Sequence, residues 1–446
     1  MKHSDVVIIG GGPGGLAAAK GAKEAGAGSV LVLERDDRTG GILNQCVHEG
    51  FGLVGYNAML TGPEYARRAR QEALDAGAAL CTGAMVTGLT PDRQVTAVTR
   101  AGLLRVRAGS VVLATGCRER TRGAIAIPGT RPAGIFTAGT AQNLINTKNL
   151  MVGKRVVILG SGDIGLIMAR RLTLEGAQVL CVAEAAPAPG GLERNVSQCL
   201  YDFGIPLYLC CTVTNIFGKK RLEAVELSQV DAGGVPIPGT QRRVSCDTLL
   251  LSVGLVPENE VAAMAGVRLD PKTNGAVTDE FLQTSVPGVF SCGNSRKVLD
   301  LADFVTAQGL AAGRNAAAFA AGKTFEKMPP ETANAMRKGL PQAGFTTCIL
   351  CPKGCRVKID GQGEVTGNGC PRGEAYARGE AEHPKRVLTT TILNETGRQV
   401  PVKTEKPIPR KALLPAMEAL RGLRLPEGVT RLKDPFGLGT DLITPN

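Results

Sequence analysis

The chain has 446 residues, too many for one hydrophobic core, so two or more domains are expected. Its composition (43% hydrophobic, 21% charged) is that of a globular protein, and no apolar run approaches the roughly 18 residues of a membrane helix. Aromatic residues are scarce (4%, no Trp), and the net charge of +12 arises without a long basic run, which argues against nucleic acid as a partner. Without a signal-peptide pattern, the expected location is the cytoplasm.

The chain begins with the pattern of a βαβ unit. An apolar run predicts a buried strand, and the six residues after it fit G-x-G-x-x-G, with Gly10, Gly12 and Gly15 at the glycine positions. Such glycines permit a tight turn and bring backbone N–H groups to a pyrophosphate at the N-terminus of the following helix. The second predicted strand ends at Glu34, where an acid accepts hydrogen bonds from ribose hydroxyls.

The same pattern returns at residues 155–184. A strand, a glycine turn, a helix and a second strand closed by an acid follow in the same order. The expected nucleotide-binding residues are Gly160, Gly162, Asp163, Gly165 and Glu184. The acid favours NAD over NADP, because its charge would repel a 2′-phosphate. Two dinucleotide sites in one chain indicate an enzyme that passes electrons between a nicotinamide nucleotide and FAD.

Three further segments carry a family resemblance: Val111–Gly116, Gly254–Asn259 and Thr284–Asn294. With the two glycine turns, they resemble the pyridine nucleotide-disulfide oxidoreductases in the short form typified by thioredoxin reductase, over residues 5 to about 325. The resemblance implies an α/β fold with two Rossmann-like three-layer domains, the FAD domain being split by the inserted NAD domain. The expected organisation is an FAD domain (1–118 and 248–325), an NAD domain (119–247), a linker (326–343) and a small C-terminal domain (344–446).

The resemblance also implies contacts to the cofactors beyond the two turns. The residues that match the family's positions are Val86, Thr115, Gly116, Gly254, Gly293, Asn294 and Gln308. The family usually has Gly-Asp at the pair beside the ribityl chain, so Asn294 retains a hydrogen-bonding group and loses a carboxylate. A helix beginning near 306–309 is expected to direct its positive end at the flavin.

One feature of disulfide reductases is missing. Their two redox cysteines lie close together in the sequence, but residues 134–140, where the short-form pair would fall, contain no cysteine. Cys46 is a single candidate redox thiol with His48 nearby, although a lone cysteine is more often inert. The sequence therefore predicts that the chain is not a disulfide reductase.

Four cysteines near the C-terminus have the spacing C-x2-C-x3-C-x14-C; they are Cys348, Cys351, Cys355 and Cys370. Three close cysteines and one remote cysteine favour a [4Fe–4S] cluster, with structural zinc as the alternative. The segment is similar to the cluster-binding segment of molybdopterin oxidoreductases. It also resembles a small cysteine-containing domain of unassigned function, found with flavoproteins that accompany glycerol-3-phosphate dehydrogenase-like oxidases.

The expected function is that of an electron-transfer subunit linking NAD(H), FAD and the cluster. The chain offers no evident general base for a small substrate, so the partner is expected to be a second flavoprotein dehydrogenase acting on glycerol 3-phosphate or another hydroxy acid. From residue 323 onward there are 20 Lys and Arg against 13 Asp and Glu, which suits an acidic partner. Two alternatives remain: a self-contained NADH:acceptor oxidoreductase with structural zinc, and a non-enzymatic nucleotide-binding scaffold. The sequence leaves the oligomeric state open.

Overall fold

The chain passes back and forth between two units in the computed structural model, which describes residues 2–328 and 336–444. Residues 2–118 and 255–328 form the first unit, and residues 119–254 and 336–444 form the second. Residues 329–335, within the expected linker 326–343, lie outside the described residues.

The elements of the first 254 residues fall into two groups. Up to residue 119 they are β1 (Lys2–Ile9), α1 (Pro13–Glu24), β2 (Val30–Leu33), β3 (Glu49–Phe51), β4 (Leu60–Thr61), α2 (Gly62–Asp75), β5 (Ala79–Cys81), β6 (Met85–Leu89), β7 (Gln94–Thr99), β8 (Gly102–Leu113) and β9 (Cys117–Glu119). They continue with β10 (Ile135–Thr137), α3 (Ala138–Lys148), β11 (Arg155–Leu159), α4 (Asp163–Leu174), β12 (Gln178–Ala183), α5 (Glu193–Cys199), β13 (Leu207–Tyr208), β14 (Cys211–Gly218), β15 (Leu222–Gln229), β16 (Arg242–Ser245) and β17 (Thr248–Leu251).

The remaining elements also fall into two groups. The return to the first unit supplies β18 (Leu255–Pro257), α6 (Glu260–Met264), β19 (Val289–Ser291) and α7 (Ala302–Ala320). The C-terminal segment supplies β20 (Thr346–Thr347), β21 (Arg356–Ile359), β22 (Val365–Thr366), α8 (Pro371–Glu382), β23 (Lys385–Arg386), β24 (Thr389–Asn394), β25 (Gln399–Thr404), β26 (Ile408–Pro409), α9 (Leu413–Leu420), β27 (Arg424–Leu425), β28 (Arg431–Leu432) and β29 (Leu442–Ile443).

The first unit is built on a seven-stranded sheet of order β5-β2-β1-β8-β7-β6, with β19 also paired to β8. Strand β1 lies between β2 and β8 and runs parallel to both. Its residues 6–9 are apolar and buried on both faces, as expected for a parallel strand covered by helices. The sheet therefore presents the carboxyl end of β1, and the glycine turn that follows it, at one edge.

Helices α1 and α7 pack with their backbones in close approach. A Cβ atom at Gly309 would lie 2.2 Å from the carbonyl oxygen of Gly14, and one at Gly313 would lie 2.0 Å from that of Ala18. Only glycine fits at either position, because real Cβ atoms do not approach backbone this closely. Residues 302–320 are in this way joined to the first βαβ unit, although some 280 positions separate them in the chain.

The second unit contains a five-stranded parallel sheet of order β10-β17-β11-β12-β13 and a three-stranded antiparallel sheet of order β14-β15-β16. Strand β17 is fully apolar after Thr248 and is hydrogen-bonded between β10 and β11. Residues 248–254 therefore belong with this sheet, and the expected start of the second FAD segment at 248 was wrong. The first unit resumes at Leu255.

The C-terminal segment shares a core with residues 119–254 instead of forming a third unit. Leu174 of α4 is buried in one cluster with Leu388, Leu413 and Met417. Buried charges add to this contact, since Arg386 lies 2.6 Å from the carboxylate of Asp202. Burial of a charge is costly unless it is paired, so these pairs hold the segment in register.

Two short interruptions divide the elements of this segment. Strands β23 and β24 are separate although only two residues lie between them, and α9 is preceded by a short 3-10 turn at 410–412. No helix among the described residues is long and apolar enough to span a bilayer.

The close approach of α7 to α1 gives a first prediction. Gly313→Ala should lower the free energy of unfolding by about 1–3 kcal/mol, because the added methyl group forces the two helices apart. Gly379→Ala in α8 is the matched control, since a Cβ there would meet nothing within 4 Å. It should stabilise the helix by up to about 1 kcal/mol. Urea unfolding of both variants measures the difference, and equal stabilities would contradict the packing described here.

Candidate functional site

The first glycine turn is closed by contacts that exclude side chains. Gly10 has φ +106, and a Cβ at Gly15 would lie only 1.8 Å from the Gly10 carbonyl oxygen. At Gly12, by contrast, a Cβ would meet nothing within 4 Å, so the backbone there borders open space. A close turn with open space at its middle glycine fits the approach of a pyrophosphate to backbone N–H groups.

Glu34 is tied to this turn by its own carboxylate. It is 5% exposed and accepts the N–H of Gly11 at 2.8 Å and the N–H of Asp36 at 2.9 Å. Each carboxylate oxygen keeps a lone pair beyond these bonds, so the acid is held at the end of β2 with acceptor capacity remaining. Its position is compatible with the expected ribose contact.

The second turn repeats this arrangement. A Cβ at Gly165 would lie 2.6 Å from the Gly160 carbonyl oxygen. Glu184 accepts the Ser161 N–H at 2.9 Å and the Ser161 hydroxyl at 2.6 Å, and its other oxygen accepts the Ala186 N–H at 2.9 Å. The sequence repeat is therefore also a repeat of hydrogen bonds, with the acid bonded to the turn and to the residue two positions after itself.

Asp163, expected to be a nucleotide contact, is engaged within the protein. Its Oδ1 accepts the Leu192 N–H and the Asn195 side-chain N–H, both at 2.8 Å. Gly162 remains the open position of this turn; a Cβ there would make only ordinary contacts with Ser252, the nearest at 3.4 Å. We therefore assign Asp163 to fixing the segment after Glu184.

The remaining expected cofactor contacts are spread over several elements, and Thr115 and Gly116 follow β8 after one intervening residue. The Thr115 hydroxyl donates to the Glu258 carbonyl at 2.6 Å, and Gly116 has φ +74 with open space at its Cβ position. Val86 lies in β6, half-buried. Gly254 belongs to the second unit, where it has φ +106.

Gly293 and Asn294 are held by side chains and backbone. The Gly293 N–H donates to the side chain of Gln308, which is 1% exposed, at 2.9 Å. Asn294 uses both ends of its amide: Nδ2 donates to the sulfur of Cys117 at 3.5 Å, and Oδ1 accepts the Leu299 N–H at 3.0 Å. The lost carboxylate at this position is thus replaced by an amide that bridges two protein groups.

Helix α7 begins earlier than expected, at Ala302, and has an acidic residue in its first turn. Asp303 is buried and accepts the Gly55 N–H at 3.0 Å. Burial raises the pKa of its carboxyl group, while hydrogen bonds from residues 52–55 oppose the shift. Sequence analysis did not identify this acid, which lies at the positive end of the helix and connects it to the loop before α2.

Cys46 is buried, and burial raises the pKa of its thiol to about 12. At neutral pH the group is therefore a thiol, whereas redox and nucleophilic cysteines react as thiolates. This environment disfavours the redox role considered for Cys46.

Three of the C-terminal cysteines lie on one hairpin. Strands β20 and β21 pair with Thr347 opposite Arg356, and the Cys348 N–H donates to the Cys355 carbonyl at 2.8 Å. The loop between them contains Cys351, and Gly354 with φ +60 permits its turn. The pairing thereby brings the two ends of the first cysteine motif together.

Cys370 joins the hairpin from the start of α8, where it is the N-cap residue. A Cβ at Gly369 would lie 3.1 Å from the sulfur of Cys355, and one at Gly373 would lie 3.9 Å from that of Cys348. The remote fourth cysteine and its neighbours are therefore packed against the hairpin that carries the other three.

The thiols differ in their ionisation. Burial raises the pKa of Cys348 to about 11, and the like charges of the other three thiolates contribute. At Cys370 the Gly373 N–H lowers the pKa, assisted by Arg372. A soft cation would relieve the repulsion that the other three thiolates exert on an ionised Cys348. Among residues 2–328 and 336–444, however, no three His, Cys, Asp or Glu side chains already stand at metal-binding spacing.

A buried carboxylate that the sequence did not reveal connects this hairpin to the second βαβ unit. Glu193, at the start of α5, has no exposed surface and pairs with Arg356 at 2.7 Å. Nothing in the local sequence distinguishes it from a surface acid, because its partner lies 163 positions further along the chain.

Two glycine turns, each closed by an acid in a parallel sheet, define a FAD-dependent oxidoreductase that uses a pyridine nucleotide. The chain belongs to the pyridine nucleotide-disulphide oxidoreductase family, whose model matches residues 4–316. A second model, for a protein family of unknown function (DUF1667), matches residues 371–445 and begins one residue after Cys370.

Curated relatives support the family. One of the subunits of opine oxidase from Agrobacterium tumefaciens is 26% identical, with 65% of this chain and 61% of the relative covered. Thioredoxin reductase of Treponema pallidum is 28% identical, with 66% and 89% covered. The small chain of glutamate synthase [NADPH] from Mycobacterium tuberculosis is 27% identical, with 69% and 65% covered. The chain thus spans about three fifths of its opine oxidase relative.

Solved structures support the fold. Thioredoxin reductase of Lactococcus lactis superposes with a TM-score of 0.59 at 22% identity, covering 72% of this chain and 99% of that protein. The enzyme of T. acidophilum gives the same TM-score and coverage at 23% identity. The expected α/β class with Rossmann-like sheets and an additional C-terminal segment is therefore confirmed.

The different ionisation of the cysteines gives a second prediction. In metal-free protein at pH 8, iodoacetamide should modify Cys370 at least tenfold faster than Cys348, whose thiolate fraction is only about one in a thousand. Labelling of Cys348 should rise with pH toward its pKa of about 11. Peptide mass spectrometry gives both rates. Cys292, buried and with a pKa of about 12, should stay unlabelled as the control for an intact fold.

Proposed function

We propose that this enzyme transfers electrons between NAD(H), FAD and a [4Fe–4S] centre on Cys348, Cys351, Cys355 and Cys370, and exchanges them with a partner flavoprotein dehydrogenase. The proposal rests on the arrangement of the four cysteines, three on one hairpin and the fourth at the N-terminus of the helix that packs against it. The family supplies the flavin and nicotinamide chemistry, and the four cysteines would supply the ligands of an additional redox centre.

The residues of the first turn would hold FAD. Gly10, Gly12 and Gly15 would present backbone N–H groups to its pyrophosphate, Glu34 would accept from its ribose, and Thr115-Gly116 would border the flavin. When bound, FAD accepts two electrons together as a hydride and releases them one at a time, and an iron–sulfur cluster carries one electron at a time. The lack of a cysteine in residues 134–140 and the burial of Cys46 support an outlet for electrons other than a disulfide.

The partial exposure of the cysteine site would let a metal centre there exchange electrons with a partner bound at the surface. Cys348 is 4% exposed, whereas Cys351, Cys355 and Cys370 are only partly buried. A centre held by all four would therefore be anchored in protein at one side and close to solvent at the other. A partner could approach that outer side without any rearrangement of the core.

Exposed cations around this site favour an acidic partner. They are Arg337, Lys353, Lys358 and Arg372, and among the described residues none of them pairs with an acidic side chain. Arg372 and Lys353 lie beside the cysteines themselves. Unpaired surface cations accelerate encounters with a negatively charged protein. Relatives whose names make them components of opine oxidase and glutamate synthase agree with a protein that works in a larger assembly.

We propose that the partner oxidises glycerol 3-phosphate or another hydroxy acid. The described residues of this chain would hold FAD, NAD(H) and the cluster, so the substrate chemistry would take place on the partner. A self-contained NADH:acceptor oxidoreductase with structural zinc is the alternative. It is favoured by the small apolar cluster of Cys348, Val357 and Ala377, in which a metal would serve as a core.

The charge of Glu184 gives a third prediction. NADH should reduce the flavin faster than NADPH, and Glu184→Gln should narrow the difference by roughly tenfold, because the neutral amide no longer repels a 2′-phosphate. Stopped-flow absorbance measures both rates, with exposed Glu223→Gln as the control. A preference of the unmodified enzyme for NADPH would contradict the assignment. In that case Arg242, which stacks on Tyr208 near the end of β12, would be the candidate residue for contact with the 2′-phosphate.

The identity of the metal gives a fourth prediction. Protein purified without oxygen should contain iron and acid-labile sulfide, and Cys351→Ser should lose both while retaining FAD and its reduction by NADH. The flavin residues lie in the other unit, so their site should survive the substitution. Cys210→Ser, outside the four-cysteine site, is the matched control.

Electron paramagnetic resonance of the dithionite-reduced protein, together with metal analysis, decides between the two functions. A cluster signal that Cys351→Ser abolishes supports electron transfer through the centre. Stoichiometric zinc without a signal would establish the structural alternative and exclude the cluster.

A further inference from the structure

The segment 190–195 is bound to the second glycine turn by a set of hydrogen bonds. The N–H groups of Gly190 and Gly191 donate to the hydroxyl and carbonyl oxygens of Ser161 at 3.0 and 2.9 Å. Asp163 accepts from Leu192 and from the side chain of Asn195. The bonds are made by residues of the turn itself, so a nucleotide bound there would lie beside the residues that hold this segment in place.

Glu193 lies in the middle of that segment and points away from solvent. Its carboxylate accepts from Arg356, Nε at 3.0 Å and the terminal nitrogen at 2.7 Å, and from the Thr347 hydroxyl at 2.8 Å. Its N–H donates to the Arg337 carbonyl at 2.9 Å. A fully buried carboxylate cannot give up these partners separately, because the remaining charge would be left without solvation.

The two side chains that hold Glu193 form the base of the cysteine hairpin. Thr347 precedes Cys348 and Arg356 follows Cys355 in the chain, and Thr347 and Arg356 face each other in the strand register. A displacement of Glu193 must therefore change the separation or tilt of the strands that present these two cysteines. A continuous series of hydrogen bonds therefore connects the second glycine turn, through segment 190–195 and Glu193, to the hairpin of the four-cysteine site.

We propose that Glu193 is a positioning residue that couples nucleotide binding at the second turn to metal binding at the cysteine site. Both ligands would favour the same state, in which segment 190–195 is docked on the turn and the hairpin base is held by the carboxylate. The identity of the nucleotide and metal rests on the proposed function, but the coupling needs only that both sites be occupied. Because linkage is reciprocal, metal must tighten nucleotide binding by the factor by which nucleotide tightens metal binding.

The test is the affinity for NAD⁺, measured by calorimetry on the full-length protein as isolated and after removal of its metal by a chelator. We expect the metal-loaded protein to bind NAD⁺ about fivefold or more tightly than the stripped protein. In Glu193→Gln, NAD⁺ should still bind, but the ratio of its affinities for metal-loaded and stripped protein should be close to one. Removal of the charge weakens the pairing with Arg356 but leaves Ser161 and Asp163 unchanged.

Glu374→Gln is the matched control, because it breaks an ion pair within the same C-terminal segment, with Arg378 at 3.0 Å, that does not reach the turn. It should keep the full ratio. If Glu193→Gln does not fold, Thr347→Ala removes one hydrogen bond to the carboxylate and should give an intermediate ratio. Amide hydrogen exchange of residues 346–357 in stripped protein should slow on addition of NAD⁺, and this response should be absent in the Glu193 variant.

The outcomes separate this proposal from the proposed function. If the metal is zinc, or if no electrons reach a partner, a ratio that depends on Glu193 still supports the coupling. A ratio of one in the unmodified protein, or a full ratio in Glu193→Gln, would overturn the coupling and leave the electron-transfer proposal intact. If the nucleotide is NADPH, the same measurements apply with that probe, and failure of both nucleotides to bind would overturn both proposals.

Discussion

The absence of a side chain at Gly15 and Gly165 is the constraint on which both halves of this protein depend. Each glycine lies so close to the first glycine of its turn that a Cβ would fall 1.8 or 2.6 Å from a carbonyl oxygen. The close approach lets a helix begin directly behind a buried strand, so the strand ends and the helix N-terminus meet at one edge. The nucleotide sites, and the acids that close them, follow from that geometry.

The C-terminal segment depends on a different kind of interaction, the burial of paired charges. Glu193 with Arg356 and Asp202 with Arg386 are ion pairs whose carboxylates are shielded from water. Such pairs add little net stability compared with apolar contacts, but removal of one partner is strongly destabilising because it leaves a buried charge uncompensated. They hold the cysteine hairpin and α8 on the nucleotide-binding part of the chain, whereas the flavin residues belong to the other unit.

The cysteines illustrate how one residue type acquires different chemistry from its surroundings. Cys46 and Cys292 are buried and have thiols with pKa values of about 12, so they contribute to packing. Cys370 has a lowered pKa because the first turn of α8 donates to its sulfur. Under the proposed function, a donor set that includes such a thiolate would give the chain a redox route that does not use the family's disulfide pair.

The sequence by itself determined the elements whose signals are local. A glycine turn needs only six consecutive residues, and the acids Glu34 and Glu184 stand at a set distance after it, so both nucleotide units and the α/β class could be predicted. The C-x2-C-x3-C-x14-C spacing of the four cysteines could also be recognised from the sequence alone. These patterns can be recognised in short stretches of sequence, because strand and helix geometry brings the residues of each pattern together locally.

Only the tertiary structure decided what depends on distant residues. Distant positions are joined by the placement of β17 in the second sheet, by the attachment of residues 336–444 to the second unit and by the bond between Glu193 and Arg356. The separations in the chain reach 163 for Glu193 and Arg356 and 250 for Asn149 and Gln399. Asp163 likewise had the position of a ligand contact but is bonded to Leu192 and Asn195. Such pairings leave no local pattern in the sequence. An acidic residue that is buried and paired cannot be distinguished from an exposed one until folding brings its partner close.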